Sequence, residues 1–197
     1  MKKIVITGAP GSGKTVITAR LAAAHPEQFA MVPEAATQVY TALRTRWDQL
    51  DLAGRRDAQR RMYRLQLEQE ERLSRQHAGG GALLLLLLDR GTVDGSAYWP
   101  DGPDAFWRDV DTTRAAELAR YDAVILLQTC AALGLYDGDA SNACRFEDAD
   151  AAIAAGETLR QLWGDHPRVR HVAAYPKLDD KVDAVRAAIA DVLRAQP

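Results

Sequence analysis

Five short apolar runs punctuate the chain, Lys3 to Thr7, Phe29 to Pro33, Ala82 to Leu88, Ala123 to Gln128 and Val169 to Ala173, and a longer segment of mixed character follows each. Runs this short, rich in Ile, Val and Leu and without polar alternation, predict strands buried on both faces. Their alternation with helical stretches predicts an α/β fold, a parallel sheet with helices on both sides. The leucines Leu83 to Leu88 have helix propensity, but Gly79-Gly80-Gly81 and Asp89 bound the run closely, and it is read as a central strand.

Between the second and third strands, Arg55 to His77 reads as a long polar helix. Ala58, Met62, Leu65 and Leu73 fall near one face, and Glu68/Arg72 and Glu71/Arg75 are spaced for i,i+4 pairs. Arg55, Arg56, Arg60, Arg61 and Arg64 form either an anion-binding row or a solvated face, and charge runs of this kind usually make the latter. Thr112 or Thr113 is expected to cap a helix from Arg114 to Arg120, with Glu117 completing a capping box. Gly134 to Ala143 reads as a loop.

The first strand runs directly into Gly8-Ala9-Pro10-Gly11-Ser12-Gly13-Lys14-Thr15, a full match to the phosphate-loop pattern G-x-x-x-x-G-K-[ST]. Each position has a mechanical role. Glycines let backbone amides wrap close to phosphate, and the start of the following helix attracts anions. Lys14 is expected to reach the β- and γ-phosphates, and Thr15 to place its hydroxyl on the bridging Mg²⁺. The motif predicts a nucleoside triphosphate site.

Composition narrows the picture without redirecting it. At 197 residues, with 47% hydrophobic and 26% charged residues, the chain fits one globular domain over 1–197. Lys plus Arg number 25 against 27 Asp plus Glu, so the net charge of −2 provides no general attraction to nucleic acid or an anionic membrane. Cys130 and Cys144 form no C-x-x-C pair and the histidines are scattered, which excludes a zinc framework and leaves the thiols reduced. No apolar run approaches the ~20 residues of a membrane span. A cytoplasmic protein is expected.

In a parallel sheet, ligands gather beyond the carboxyl ends of the strands. Glu34 follows the second strand, as a substrate-hydroxyl ligand or base, or as a partner of a helix dipole. Asp89 ends the third, where an acid holds Mg²⁺ or accepts an acceptor's proton; it is equally a good N-cap. Arg90 fits a substrate phosphate or carboxylate, or an ion pair with Asp94 or another acid. Asp94 and Tyr98 share an i,i+4 face suited to a polar substrate, although Tyr98 also suits packing. Arg145 closes the glycine-bearing segment, and a lid at about 134–148 would deliver it to the transferring phosphate; the alternative is a surface pair with Glu147 or Asp148.

Together the phosphate loop, Pro33-Glu34-Ala35-Ala36, Asp89-Arg90-Gly91 with Asp94 and Ala97-Tyr98, the strand Tyr121 to Leu127, and Arg145-x-Glu147-Asp148 resemble the AAA-28 type of P-loop ATPase/kinase proteins. That group includes the nicotinamide riboside kinase domain of bacterial NAD-biosynthesis regulators. The resemblance runs from Lys2 to about Arg186. It implies a nucleoside- or nucleotide-kinase-like fold, five parallel strands in the order 2-3-1-4-5, with Asp89 in the Mg²⁺ or base site and Arg145 in the lid. Asp89 is followed by Arg90 rather than Glu, which sets the chain apart from ring-forming AAA motors. No appended adenylyltransferase or DNA-binding segment is expected, and nicotinamide riboside is not carried over as the acceptor.

The expected activity is transfer of the ATP γ-phosphate to a hydroxyl of a nucleoside-like or other small metabolite, with ATP and Mg²⁺ as cofactors. The alternative is an ATPase or nucleotide-dependent switch that binds a protein partner. No N-K-x-D guanine motif is present, which favours ATP. Fold analogy places the adenine near Tyr175-Pro176-Lys177.

Overall fold

The computed structural model of the protein describes residues 1–78, 85–135 and 148–194. Five strands, β1 (Lys2–Gly8), β2 (Phe29–Val32), β3 (Leu85–Asp89), β4 (Ala123–Leu127) and β5 (Val169–Val172), form one parallel sheet in the order β2-β3-β1-β4-β5. The expected order 2-3-1-4-5 is therefore present. The expected strand boundaries agree to within a residue at the described ends; positions 82–84 lie outside the described residues.

The central strands are continuously apolar because both of their faces are covered. Val5, Leu86, Leu88, Val124 and Leu126 point to one side, against Phe106, Trp107, Leu159 and Trp163. Ile4, Ile6, Leu87, Ile125 and Leu127 point to the other, against Ile17, Leu21, Val185 and Ile189. The period of two assigns alternate residues to opposite helical layers. The first layer includes α5 (Pro103–Asp109) and α7 (Ala149–Trp163), and the second includes α1 (Lys14–Ala24) and α8 (Leu178–Arg194).

A smaller cluster lies beyond the β2 end of the sheet. There α2 (Ala35–Leu43) packs on α3 (Leu52–Gln76) through Ala35, Val39, Tyr40, Ala58 and Met62. The α3 helix begins earlier than the sequence suggests because Asp51 caps it, accepting from the Gly54 amide at 2.7 Å. Its arginines are largely engaged in surface pairs: Arg56 with Asp101, Arg60 with Asp109 and Arg61 with Asp57. They form a solvated, ion-paired face.

Two local expectations change. Helix α6 spans Arg114–Leu118, stopping short of Arg120, and Thr113 caps it by accepting from the Ala116 amide. Glu117 completes no capping box. It turns inward and accepts from the hydroxyls of Tyr63, Thr92 and Thr112, since it sits four residues past the cap and the box needs an acid at three. Of the lid expected at about 134–148, residues 136–147 lie outside the described residues, and Arg145 and Glu147 with them. At its margins, Gly134 ends a 3-10 turn (Cys130–Leu133) and Asp148 caps α7 by accepting from the Ala151 amide at 2.8 Å.

Candidate phosphate-binding and acceptor site

The loop between β1 and α1 is tied down before it meets any ligand. Thr129 donates its hydroxyl to the Pro10 carbonyl at 2.6 Å, and the Cys130 amide donates to the Gly11 carbonyl at 3.2 Å. Gly8 must be glycine, because a Cβ there would lie 2.4 Å from the Leu127 carbonyl oxygen on β4. Gly13, the N-cap of α1, has φ 80°, a left-handed conformation that favours glycine. No acidic residue occupies the first turn of α1. The helix thus supplies no acid of its own to its first-turn amides and dipole, an arrangement that favours an anion.

Lys14 begins α1 and is only 1% exposed. Its Nζ lies 4.0 Å from Glu34 Oε1. Asp89, at the end of β3 opposite Ile6 in register, is fully buried, and neither carboxylate oxygen has a hydrogen-bond partner within 3.5 Å among the described residues. Burial pushes its pKa up, opposed chiefly by the positive charge of Lys14 and helped by the nearby Glu34; interaction with the Thr15 hydroxyl also lowers it. A buried acid of this kind beside a phosphate-loop threonine fits a divalent cation. Among the described residues no group of three or more His, Cys, Asp or Glu could hold a metal alone. A cation would instead be shared by Thr15, Asp89 and the phosphates it accompanies.

Glu34 is the hinge of the arrangement. One oxygen accepts from Arg90 Nε at 2.7 Å, the other from the Thr37 hydroxyl at 2.6 Å. Burial by itself raises its pKa, but Lys14, Arg90 and these hydrogen bonds outweigh burial and hold the carboxyl well below the usual carboxylate range. Burial disfavours the charge of Arg90, but Tyr98, Glu34 and Asp94 around it outweigh that cost and raise its pKa well above the ordinary value. It adopts φ 78°, a left-handed conformation that costs a non-glycine residue about 1–2 kcal/mol. That strain lies on the residue joining both acids: Arg90 Nη1 also reaches Asp94 Oδ2 at 3.4 Å, and its guanidinium lies 5.7 Å over the Tyr98 ring.

Asp94, expected to hold a polar substrate, is already committed. It accepts from the Thr7 hydroxyl at 2.7 Å and from Trp163 Nε1 at 2.6 Å, and so braces β1, the short helix α4 (Asp94–Ala97) and α7 around Arg90. Tyr98 ends that helix as its C-cap, and its ring packs edge-on against Trp47.

Glu34, Arg90, Asp94 and Tyr98 all border one cavity of about 330 Å³ that opens beside Pro10 of the phosphate loop. Its far wall comes from α2, α3 and the 3-10 turn Trp47–Gln49: Tyr40, Trp47 and Met62, with Gln59, Tyr63 and Gln66 supplying polar groups. The sequence reading did not single out this wall. Its signal was present, since Gln59, Met62 and Gln66 recur at helical spacing beside the apolar positions of α3; glutamine on such a face reads as solvated until a facing element is known. Beyond β5, Cys130 Sγ lies 4.0 Å from the Tyr175 carbonyl, which sets the segment expected near adenine beside the phosphate loop. Among the described residues no helix is long and apolar enough to cross a membrane.

The parallel sheet, its strand order and the loop entering α1 define a P-loop protein with a nucleotide-binding, kinase-like fold. More particularly, the chain belongs to the AAA_28 family, described as an AAA domain, whose pattern matches residues 3–179. Solved structures share the fold. The NadR protein in complex with NAD and AMP-PNP is 18% identical with a TM-score of 0.66, covering 100% of this chain and 50% of its own. NadR in complex with NR is 18% identical with a TM-score of 0.65, covering 99% and 50%. Deoxyadenosine kinase from M. mycoides with bound dCMP and dCDP is 14% identical with a TM-score of 0.66, covering 96% and 99%. The chain thus spans half the length of those NadR chains. No curated protein matches it in sequence.

Proposed function

We propose that the protein is a small-molecule kinase that binds Mg-ATP on Gly8 to Thr15 and transfers the γ-phosphate to a hydroxyl of a nucleoside-like or similar small metabolite held in the adjoining cavity. The observation that carries this reading is the position of Glu34. It lines the 330 Å³ cavity, pairs with Arg90 at 2.7 Å and approaches the phosphate-loop lysine to 4.0 Å. A carboxylate so placed spans the path between an acceptor hydroxyl and a transferring phosphate.

Lys14 would neutralise charge on the phosphates, with the α1 amides holding them in register. Thr15 and Asp89 would hold Mg²⁺, which when bound offsets charge on the phosphate oxygens. Glu34 would accept a hydrogen bond from the acceptor hydroxyl and take its proton as the new O–P bond forms and the bond to the ADP oxygen breaks. A carboxyl held well below the usual range is a weak base, which suits a loose transition state where the proton leaves late and positioning dominates. Asp89 does not border the cavity, so the metal role fits it better than that of base. Arg90 would hold Glu34 and present its remaining donors to the acceptor, and Tyr98 and Trp47 would pack against the acceptor's apolar faces. Arg145, expected from the sequence as a cation for the transferring phosphate, lies outside the described residues.

The test is ADP release from Mg-ATP across a panel of nucleosides, nucleotides, nicotinamide riboside and other hydroxyl compounds, with Lys14→Ala as control. Stimulation by one acceptor, with its phosphorylated product seen by mass spectrometry, is the expected result. ATP binding with slow turnover that no acceptor changes would overturn it in favour of a nucleotide-dependent switch.

A further inference from the structure

Arg90 holds an unfavourable backbone conformation, and most of what fixes that backbone lies behind the site. Its amide donates to the Ile6 carbonyl of β1 at 3.1 Å, and its own carbonyl accepts from Gln66 Nε2 at 3.3 Å. The same Gln66 nitrogen donates to Glu70 Oε1 at 3.1 Å. Two residues further along the site loop, the Thr92 amide donates to the Tyr121 hydroxyl at 2.8 Å, and that hydroxyl donates to Glu70 Oε1 at 3.0 Å. One carboxylate oxygen therefore anchors both groups that grip the loop on either side of Gly91. The other Glu70 oxygen is held by Lys3 Nζ at 2.9 Å and Arg120 Nη2 at 3.0 Å. Glu70 is fully buried and does not border the cavity.

We propose that Glu70 is a positioning residue for the candidate site: acting through Gln66 and Tyr121, it holds the left-handed turn at Arg90 and so aims the Arg90 guanidinium at Glu34. A charge buried this deeply on α3 needs its full set of partners, and here those partners link the start of β1, α3 and the start of β4 to the loop after β3. Glu70 accepts four hydrogen bonds and donates none, a demand only a carboxylate meets. In Glu70→Gln the amide presents a donor either to Lys3 and Arg120 or to Gln66 and Tyr121, and one side must give way. Lys3 and Arg120 bring two full positive charges to one oxygen and so keep the amide oxygen of the variant, which turns its nitrogen towards the donor Gln66 Nε2 and releases that group's hold on the Arg90 carbonyl.

The proposal rests on the kinase reading only for its kinetic arm, and the deciding measurement needs no acceptor. Solvent exchange of the Arg90 Nε–Hε proton, which the Glu34 pair protects, is followed by ¹⁵N NMR and assigned with Arg90→Lys. Glu70→Gln and Tyr121→Phe are each expected to speed that exchange by about tenfold or more. Val185→Ala, a core truncation on the opposite face of the sheet that lowers the melting temperature, is expected to leave it unchanged. With an acceptor in hand, kcat should fall by up to about 10²-fold in the two variants while KM for ATP stays within about twofold. Tyr121→Phe keeps the ion pairs of Glu70 and carries the test if Glu70→Gln does not fold. Arg90 exchange equal to wild type, or speeded equally by Val185→Ala, overturns the positioning role. Faster exchange without any acceptor-dependent turnover supports the positioning role and overturns the kinase reading alone.

Discussion

Replacing Glu34 by glutamine removes a charge and almost no volume from the point where the phosphate loop meets the cavity. The amide oxygen can face Arg90 Nε, and the amide nitrogen can face the Thr37 hydroxyl, which rotates to accept; both hydrogen bonds, at 2.7 and 2.6 Å, survive in form. Lost are the negative charge between two cations and the oxygen that would take a proton. The first loss acts on ATP. Lys14 Nζ lies 4.0 Å from Glu34, and a unit pair at that distance is worth about 4 kcal/mol at an effective dielectric constant near 20. Asp89 and Mg²⁺ offset much of this, so ATP binding is expected to be unchanged or tighter by up to about tenfold. The second loss acts on transfer, and a missing proton acceptor lowers kcat/KM for the acceptor by about 10² to 10⁴-fold, or roughly 3–5 kcal/mol of transition-state stabilisation. The assay pairs calorimetric titration of a non-hydrolysable ATP analogue with coupled ADP release at saturating ATP. Acceptor turnover equal to wild type would remove Glu34 from the site. ATP binding weakened beyond about tenfold would show that Glu34 supports Lys14 instead of the acceptor, and the reasoning above would fail.

The same geometry sets further outcomes. Lys14→Ala should abolish Mg-ATP turnover while leaving the fold intact by circular dichroism, since its charge is directed to phosphate. Asp89→Asn should raise the thermal midpoint of the nucleotide-free protein, by about 2–4 °C for each ~1 kcal/mol of relieved burial, while abolishing turnover; a lowered midpoint would contradict the upward push on its pKa. Trp163→Phe removes the 2.6 Å donor to Asp94 and leaves a buried carboxylate oxygen short of a partner, at a cost of about 1–3 kcal/mol in chemical denaturation. Because the folded-state pKa of Glu34 is depressed, its stabilisation is complete above the unfolded value of about 4.3 and is lost as pH falls below it. The stability difference between wild type and Glu34→Gln should therefore be constant from pH 7 to about 5 and shrink towards pH 3.

The elements read most directly from the chain are those whose signal is local. The phosphate loop is contiguous, and the buried strands announce themselves as unbroken apolar runs, because a central parallel strand is covered on both faces whatever its neighbours are. With the family resemblance supplying strand order, those features place Lys14, Glu34, Asp89 and Arg90 at one edge of the sheet from the sequence alone. What only the tertiary structure decided depends on partners far apart in sequence. Asp94 was legible as a polar residue in the right place, but its commitment to Thr7 and Trp163 follows from contacts across 87 and 69 positions. Arg90 was legible as a cation, but neither its choice of Glu34 over Asp94 nor its left-handed backbone is written in neighbouring residues. The cavity wall of Tyr40, Trp47, Met62 and Gln66 exists because α2 and α3 pack on one another beyond β2, and Glu70 reads as one more charge on a polar helix until β1 and β4 bury it. Periodicity specifies which residues share a face; burial, and the hydrogen bonds that burial makes obligatory, are settled only when a second element arrives to cover it.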